Sequence, residues 1–110
     1  MFTLLGIDTT DNFRDGCMQD IHWTDGSFGY FPTYTLGAMY AAQLYQAMSR
    51  ALPDLPANVA AGNLQPLFDW LNQHIWQHGS RYSTEALIYQ ATGEALNPHC
   101  YRRHLESRYL

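Results

Sequence analysis

Apolar residues recur at every fourth position through the middle of the chain: Leu36, Tyr40, Leu44, Met48 and Leu52. Ala38, Ala41 and Tyr45 widen that stripe, and no charged side chain stands between Phe31 and Ser49. This period is helical, and a helix apolar most of the way round is expected to be buried. It should begin near Tyr30–Thr33, where Pro32 suits a first turn because its missing N–H costs nothing there. It should end near Leu52, where Pro53 stops it. The downstream pattern predicts further helices. Residues 54–61 form a short one closed by Gly62. Asn63 caps the next, with Leu64, Leu67, Phe68, Leu71 and Ile75 on one face and its end at His78 and Gly79. Ser83 caps a helix over 84–92, with Leu87, Ile88 and Ala91 inward and Gly93 as its stop. Asn97 caps the last, with Pro98 in its first position and Tyr101 and Leu105 at helical spacing.

Upstream, LLGI is a short apolar anchor followed by the polar DTTDNFRD. Residues 17–28 have a weak strand tendency, with Asp25-Gly26 suited to a tight turn. The expected fold is all-α: a compact single helical domain over residues 1–110, with one long buried helix and a short β-hairpin or extended segment near 17–28.

A chain of 110 residues with 46% hydrophobic content suits one modest globular core. The net charge is −4, every base is Arg, and there is no Lys. That balance argues against nucleic acid as a partner, since a phosphate backbone demands a clustered positive surface. Arg102, Arg103 and His104 are the one basic cluster, and are expected to complement a helix C-terminus. The uncharged run raises the question of a membrane span. Three Tyr, two Gln, two Thr, a Gly and a Pro within it argue against one. The opening MFTLLGIDTTD lacks a basic region and has only a short apolar run, so no secretory leader is expected. Cys17 and Cys100, far apart and in no CxxC pair, are expected as free thiols of a cytoplasmic chain.

Five His raise the possibility of a metal. His74 and His78 stand at i and i+4 in HIWQH, a spacing that puts both on one helix face and can bind zinc. The zinc-protease version, HExxH, has a Glu as general base, and here that place holds Ile75. The plainer reading puts His78 at a helix end and His74 on a solvated face. His99 and His104 have no ligand partners nearby in sequence, and there is no phosphate loop and no nucleophile signature.

The densest chemistry lies in GCMQDIHWTDGSFGYFPTY, residues 16–34. His22 offers a ring N–H to a developing negative oxygen, and Asp20, two residues away, can fix its tautomer. Tyr30 and Tyr34 bring phenolic hydroxyls, good neutral donors to an oxyanion. Gly26 and Gly29 permit a tight path. The bland alternative is an aromatic-rich loop that locks a helix start.

GCMQDIHW resembles the GxxQDxHW signature of the Taq-type, thermostable carboxypeptidase 1-like zinc metallocarboxypeptidases. GSFGYFPTYTLGAMYAAQLYQA, WLNQHIWQHG, the S-x-E-x-L-I run at Ser83–Ile88, TGEALNP and YRRHLESRY resemble the family's downstream sequence, so the likeness runs from about Leu4 to Leu110. The resemblance implies a mostly helical fold with a long cleft. It implies removal of single residues from peptide C-termini, a catalytic zinc (or cobalt) held by an HExxH helix and a later Glu, and a homodimer. Those ligands precede GxxQDxHW in the family, and this chain has no HExxH. It therefore resembles the C-terminal portion of such an enzyme, several-fold shorter than the whole, expected to hold no metal and to be inactive alone. Carried over residue by residue, the resemblance implies catalytic roles for His22 and Tyr30, and substrate-side roles for Gln19, Asp20 and Tyr34. Trp23 is expected to pack. The implied partner is a peptide substrate in the complete enzyme. A homo-oligomer through an exposed apolar face is a further expectation. The alternatives are a peptide-binding or self-associating module derived from that fold, and a small metalloenzyme built on His74 and His78.

Overall fold

The structure is a computed structural model. It describes every residue except Met1, Ile7, Cys17 and Met18, and leaves out the side chains of Phe2 and Leu5. The chain divides into two compact units, Met1–Tyr34 and Thr35–Leu110. Helices are the only regular elements among the described residues, as an all-α fold requires.

The first unit contains α1 (Phe2–Leu5) and α2 (Ile21–Thr24). Between them, side chains replace regular structure. Thr10 N–H donates to Asp8 Oδ1 at 2.9 Å, and Asp15 N–H to Asn12 Oδ1 at 3.1 Å. This is the Asx-turn chemistry that DTTDNFRD invites. Gly16 closes against this turn. A Cβ there would stand 2.6 Å from the Asn12 carbonyl oxygen and 3.1 Å from Thr9 Cβ, so the position admits no side chain.

Among the described residues, the hairpin expected as one possibility near 17–28 is not found. Residues 21–24 are helical, and Cys17 and Met18 lie outside the described residues. The reason is local. Ser27 N–H donates to His22 O at 2.8 Å and Gly26 N–H to Trp23 O at 3.3 Å, the paired bonds of a Schellman end. Gly26, at φ 71°, supplies the left-handed residue that such an end needs. Asp-Gly serves this end as readily as a hairpin turn, so the dipeptide by itself does not choose between them.

α3 (Pro32–Ala51) has the expected bounds, and the second unit continues with α4 (Leu55–Ala60), α5 (Gln65–His74), a 3-10 turn at Trp76–His78, α6 (Thr84–Thr92) and α7 (Pro98–Tyr109). No helix among the described residues is long and apolar enough to cross a membrane. Ser83 Oγ accepts from Ala86 N–H at 3.3 Å, and Asn97 Oδ1 from His99 N–H at 3.0 Å, so both predicted caps form. Asn63 does not cap α5. Its N–H closes α4 on Asn58 O at 2.8 Å, and α5 starts two residues later, with Pro66 in its first turn.

The core joins Met48 of α3, Leu55 of α4 and Trp70 of α5, with Leu44, Leu52, Leu67, Leu71 and Ala91 packed around them. Burying such side chains contributes roughly 1.5–3 kcal/mol each. Three expectations need correction here. The inward face of α5 is Leu67, Trp70 and Leu71, whereas Leu64 and Phe68 are 40% and 44% exposed. α5 stops at His74 because Ile75 leaves helical geometry (φ −124°, ψ −64°) and the next bonds tighten to a 3-10 turn. α3 is not buried all round: Gln43 and Met48 are buried, while Leu36, Ala41 and Tyr45 are exposed. The helices that follow cover one side of it, and one modest core does not wrap a 20-residue helix.

Gln43 is the one buried polar residue among the described residues, at 1% exposure. Its Nε2 donates to Thr92 Oγ1 (3.0 Å) and to the carbonyls of Ala95 (2.9 Å) and Glu94 (3.3 Å), while its Oε1 accepts from Asn97 N–H at 2.8 Å. One amide thus ties α3 to the connection between α6 and α7. The basic cluster sits in the middle of α7, not at its end: Arg102 pairs with Glu106 at 2.7 Å, and Arg103 Nη1 and Arg50 Nη2 donate to Gln46 at 2.8 and 3.0 Å. The free thiol of Cys100 is buried, and Cys17 lies outside the described residues.

Candidate functional site

Asp20 caps α2. Its backbone is extended (φ −84°, ψ 114°), and its Oδ1 accepts from the His22 N–H at 3.0 Å. The same oxygen lies 2.7 Å from His22 Nδ1. One carboxylate therefore starts the helical turn and holds the ring that the turn presents. The Schellman end then brings the chain round through Ser27 and Gly29 to a group of aromatic residues. The His22 ring lies 4.4 Å from Phe31, tilted by 49°, and 5.4 Å from Tyr30, nearly parallel at 22°. Tyr34 meets His22 edge-on at 6.4 Å and Tyr30 edge-on at 5.4 Å. Such offset and edge arrangements are the favourable ones for π systems.

The polar members of this group, Asp20, His22, Tyr30 and Tyr34, are chemically matched. The backbone N–H of His22, aided by its ring, holds the Asp20 carboxyl below its ordinary value of 3.8, so Asp20 is an anion and accepts only. Partial desolvation in the aromatic group, with Tyr30 beside it, pushes the Tyr34 phenol above its ordinary value of 10.0, so it remains a neutral donor. Because the folded value for Asp20 is the lower one, its contribution to folding is present above 3.8 and is lost as pH falls through the folded value. A carbon-detected titration of the Asp20 carboxyl is expected to show a midpoint below 3.8. A midpoint at or above it would contradict the cap.

Of the residues singled out in the sequence, His22, Asp20, Tyr30 and Tyr34 come together. Gln19 does not join them: it is exposed, and no side-chain hydrogen bond links it to His22. Trp23 packs against Phe28 at 5.5 Å while remaining half exposed. Phe31 was missed by sequence reasoning. It sits nearest the His22 ring, and its place between two tyrosines was the available signal.

A family model described as carboxypeptidase Taq (M32) metallopeptidase matches residues 1–109. The chain belongs to this family. Among curated M32 relatives, thermostable carboxypeptidase 1 of Thermus thermophilus is 44% identical over 105 residues, and carboxypeptidase 1 of Bacillus subtilis is 43% identical over 105. Each match takes in 96% of this chain but only 20% and 21% of the relative, respectively. The chain thus spans about a fifth of the length of these relatives. The solved structure of Trypanosoma cruzi metallocarboxypeptidase 1 is similar with a TM-score of 0.88 at 50% identity, over 99% of this chain and 23% of that one.

The M32 resemblance raises the matter of a metal. No three His, Cys, Asp or Glu side chains converge among the described residues. His74 ends α5, where its ring lies against Trp70 at 4.4 Å. His78 follows in the 3-10 turn, against Tyr82 at 5.4 Å, so the two no longer share a helix face. Zinc needs three protein ligands even in an open catalytic site. The described residues do not fit a catalytic zinc or cobalt.

Proposed function

We propose that this chain supplies part of the substrate cleft of an M32 metal-dependent carboxypeptidase, which removes single residues from peptide C-termini. His22 and Tyr30 face the reacting peptide, Tyr34 is a second hydroxyl donor, Asp20 holds His22, and Gln19 lies at the edge. The observation that carries this reading is the convergence of Asp20, His22, Tyr30 and Tyr34 within the M32-matched region. An acceptor, a ring nitrogen and two neutral hydroxyls in one place are what binding a peptide bond and stabilising its tetrahedral form require. The metal ligands and general base come from outside these residues, so the chain is inactive alone.

The test is made on the purified chain. Bound metal is quantified, and release of the C-terminal amino acid from an N-blocked dipeptide is assayed with added zinc or cobalt. The expected result is substoichiometric metal and no release. Stoichiometric metal with metal-dependent release would overturn the proposal, because the chain would then build its own centre.

A further inference from the structure

We infer that Asp20 locks the neutral His22 ring in its Nδ1–H form, so that Nε2 meets a ligand as a hydrogen-bond acceptor and takes an N–H of a peptide. The Tyr30 and Tyr34 hydroxyls then take the peptide's oxygen. The ligand half of this inference rests on the cleft reading above; the tautomer half does not.

An ionised carboxylate accepts hydrogen bonds and donates none. With Asp20 Oδ1 at 2.7 Å, His22 Nδ1 must carry a proton, since two facing lone pairs at that distance repel. A neutral imidazole has one N–H, so once Nδ1 holds it, Nε2 presents a lone pair. The carboxylate is not free to turn away. The same Oδ1 accepts the backbone N–H of His22 at 3.0 Å, so releasing the ring would also open the cap of α2. Rotating the ring to bring a carbon to Oδ1 would forfeit the 2.7 Å bond, and Phe31 and Tyr30 pack against the ring.

Nε2 has no hydrogen-bond partner among the described residues, and 21% of the side chain is exposed. No buried side-chain nitrogen lacks a partner among the described residues, so the unpartnered Nε2 is open to a ligand. The sequence by itself suggests that His22 donates to a developing oxyanion. A neutral ring held by Asp20 has no proton at Nε2 to donate, and donors to an oxygen remain at Tyr30 and Tyr34. The site therefore has two polarities side by side, an acceptor and two hydroxyl donors, which is the pattern of a peptide group with its N–H and C=O. Asp20 is a positioning residue here: it touches His22 and not the ligand.

Long-range ¹⁵N–¹H correlation of the imidazole rings in the labelled 1–110 chain reads the tautomer directly, at a pH where the rings are neutral. His22 is expected to give the Nδ1–H pattern, while the exposed His99 and His104 report the mixture found in water. Asp20→Ser retains a hydroxyl that caps the His22 N–H but is too short to reach the ring. It should move His22 to that mixture while the amide signals of α2 stay in place. An Nε2–H pattern in the parent, a doubly protonated ring throughout, or an unchanged tautomer in Asp20→Ser would overturn the inference. The ligand arm compares N-acetyl-dialanine with its depsipeptide, in which an ester oxygen replaces the peptide N–H. The peptide is expected to shift the His22 Nε2 resonance several-fold more than the ester. Equal responses, or none, would overturn the acceptor assignment. Neither arm depends on turnover or metal, so failure here is separate from failure of the carboxypeptidase assay.

Discussion

Tyr30→Phe, made in a complete M32 enzyme carrying this segment, is expected to lower kcat by about 10²–10³-fold while leaving KM little changed. The Tyr30 ring lies beside His22, and the substitution removes one hydroxyl while keeping the ring stacked at 5.4 Å. A donor aimed at charge that develops only in the transition state acts on turnover, not on ground-state binding. Loss of one such donor typically costs about 3–4 kcal/mol of barrier. Tyr34 lies edge-on to Tyr30 at 5.4 Å. The measurement is a full kinetic comparison of parent and variant on an N-blocked dipeptide. Equal kcat values would remove Tyr30 from the mechanism. In the isolated chain the same substitution should change no catalysis.

Replacing Gln43 by Leu should destabilise the second unit by about 3 kcal/mol, out of a typical domain stability of roughly 5–15 kcal/mol. The side chain is 1% exposed and serves four partners: Thr92 Oγ1, the carbonyls of Glu94 and Ala95, and the N–H of Asn97. Leu fills much of the same space but satisfies none of them. Thr92 Oγ1 and the Glu94 carbonyl keep their bond to each other at 3.0 Å, so the Ala95 carbonyl and the Asn97 N–H are the groups that lose their partner, at about 1–3 kcal/mol for each one left unpaired. Urea unfolding should show a lower midpoint at an unchanged slope. Gln46→Leu is the comparison, since Gln46 takes its bonds from the exposed Arg50 and Arg103. It should lose less than about 1 kcal/mol, as exposed interactions do. A loss at Gln43 no larger than that at Gln46 would mean that the connection between α6 and α7 finds other partners.

The grouping of side chains around His22 was more legible in the sequence than the core was. His22, Asp20, Tyr30 and Tyr34 lie within fifteen consecutive residues, so short-range geometry brings them together. Asp20 and His22 are joined by a bond spanning two residues. The placement of Phe31 and the exposure of Gln19 depended on the path from Gly26 to Tyr30, which no pairwise spacing describes. The strand tendency of 17–28 failed for a related reason. Its residues are compatible with both states, and the bonds of Ser27 and Gly26 to the preceding turn decide for the helix. HIWQH illustrates the opposite error. Its i, i+4 spacing has meaning only on an unbroken helix, and Ile75 breaks it.

Taken by itself, the sequence determined where most helices begin and end. Pro32, Ser83, Asn97 and Gly93 act within a few residues of themselves, through φ restriction, side-chain caps and the left-handed geometry open to glycine. It also grouped His22 with Tyr30 and Tyr34, because the three are local in the chain, while the place of Phe31 against the ring followed from the path of the turn. Tertiary structure alone decided which face of each helix turns inward. It turned Trp70 into the core and left Phe68 and Tyr45 outside. It also made Gln43 a core residue, with partners 49 to 54 positions further along the chain. A helical period shows that a stripe exists. Which side of the stripe is covered depends on elements distant in sequence, and a buried amide is tolerated only where those elements bring its partners.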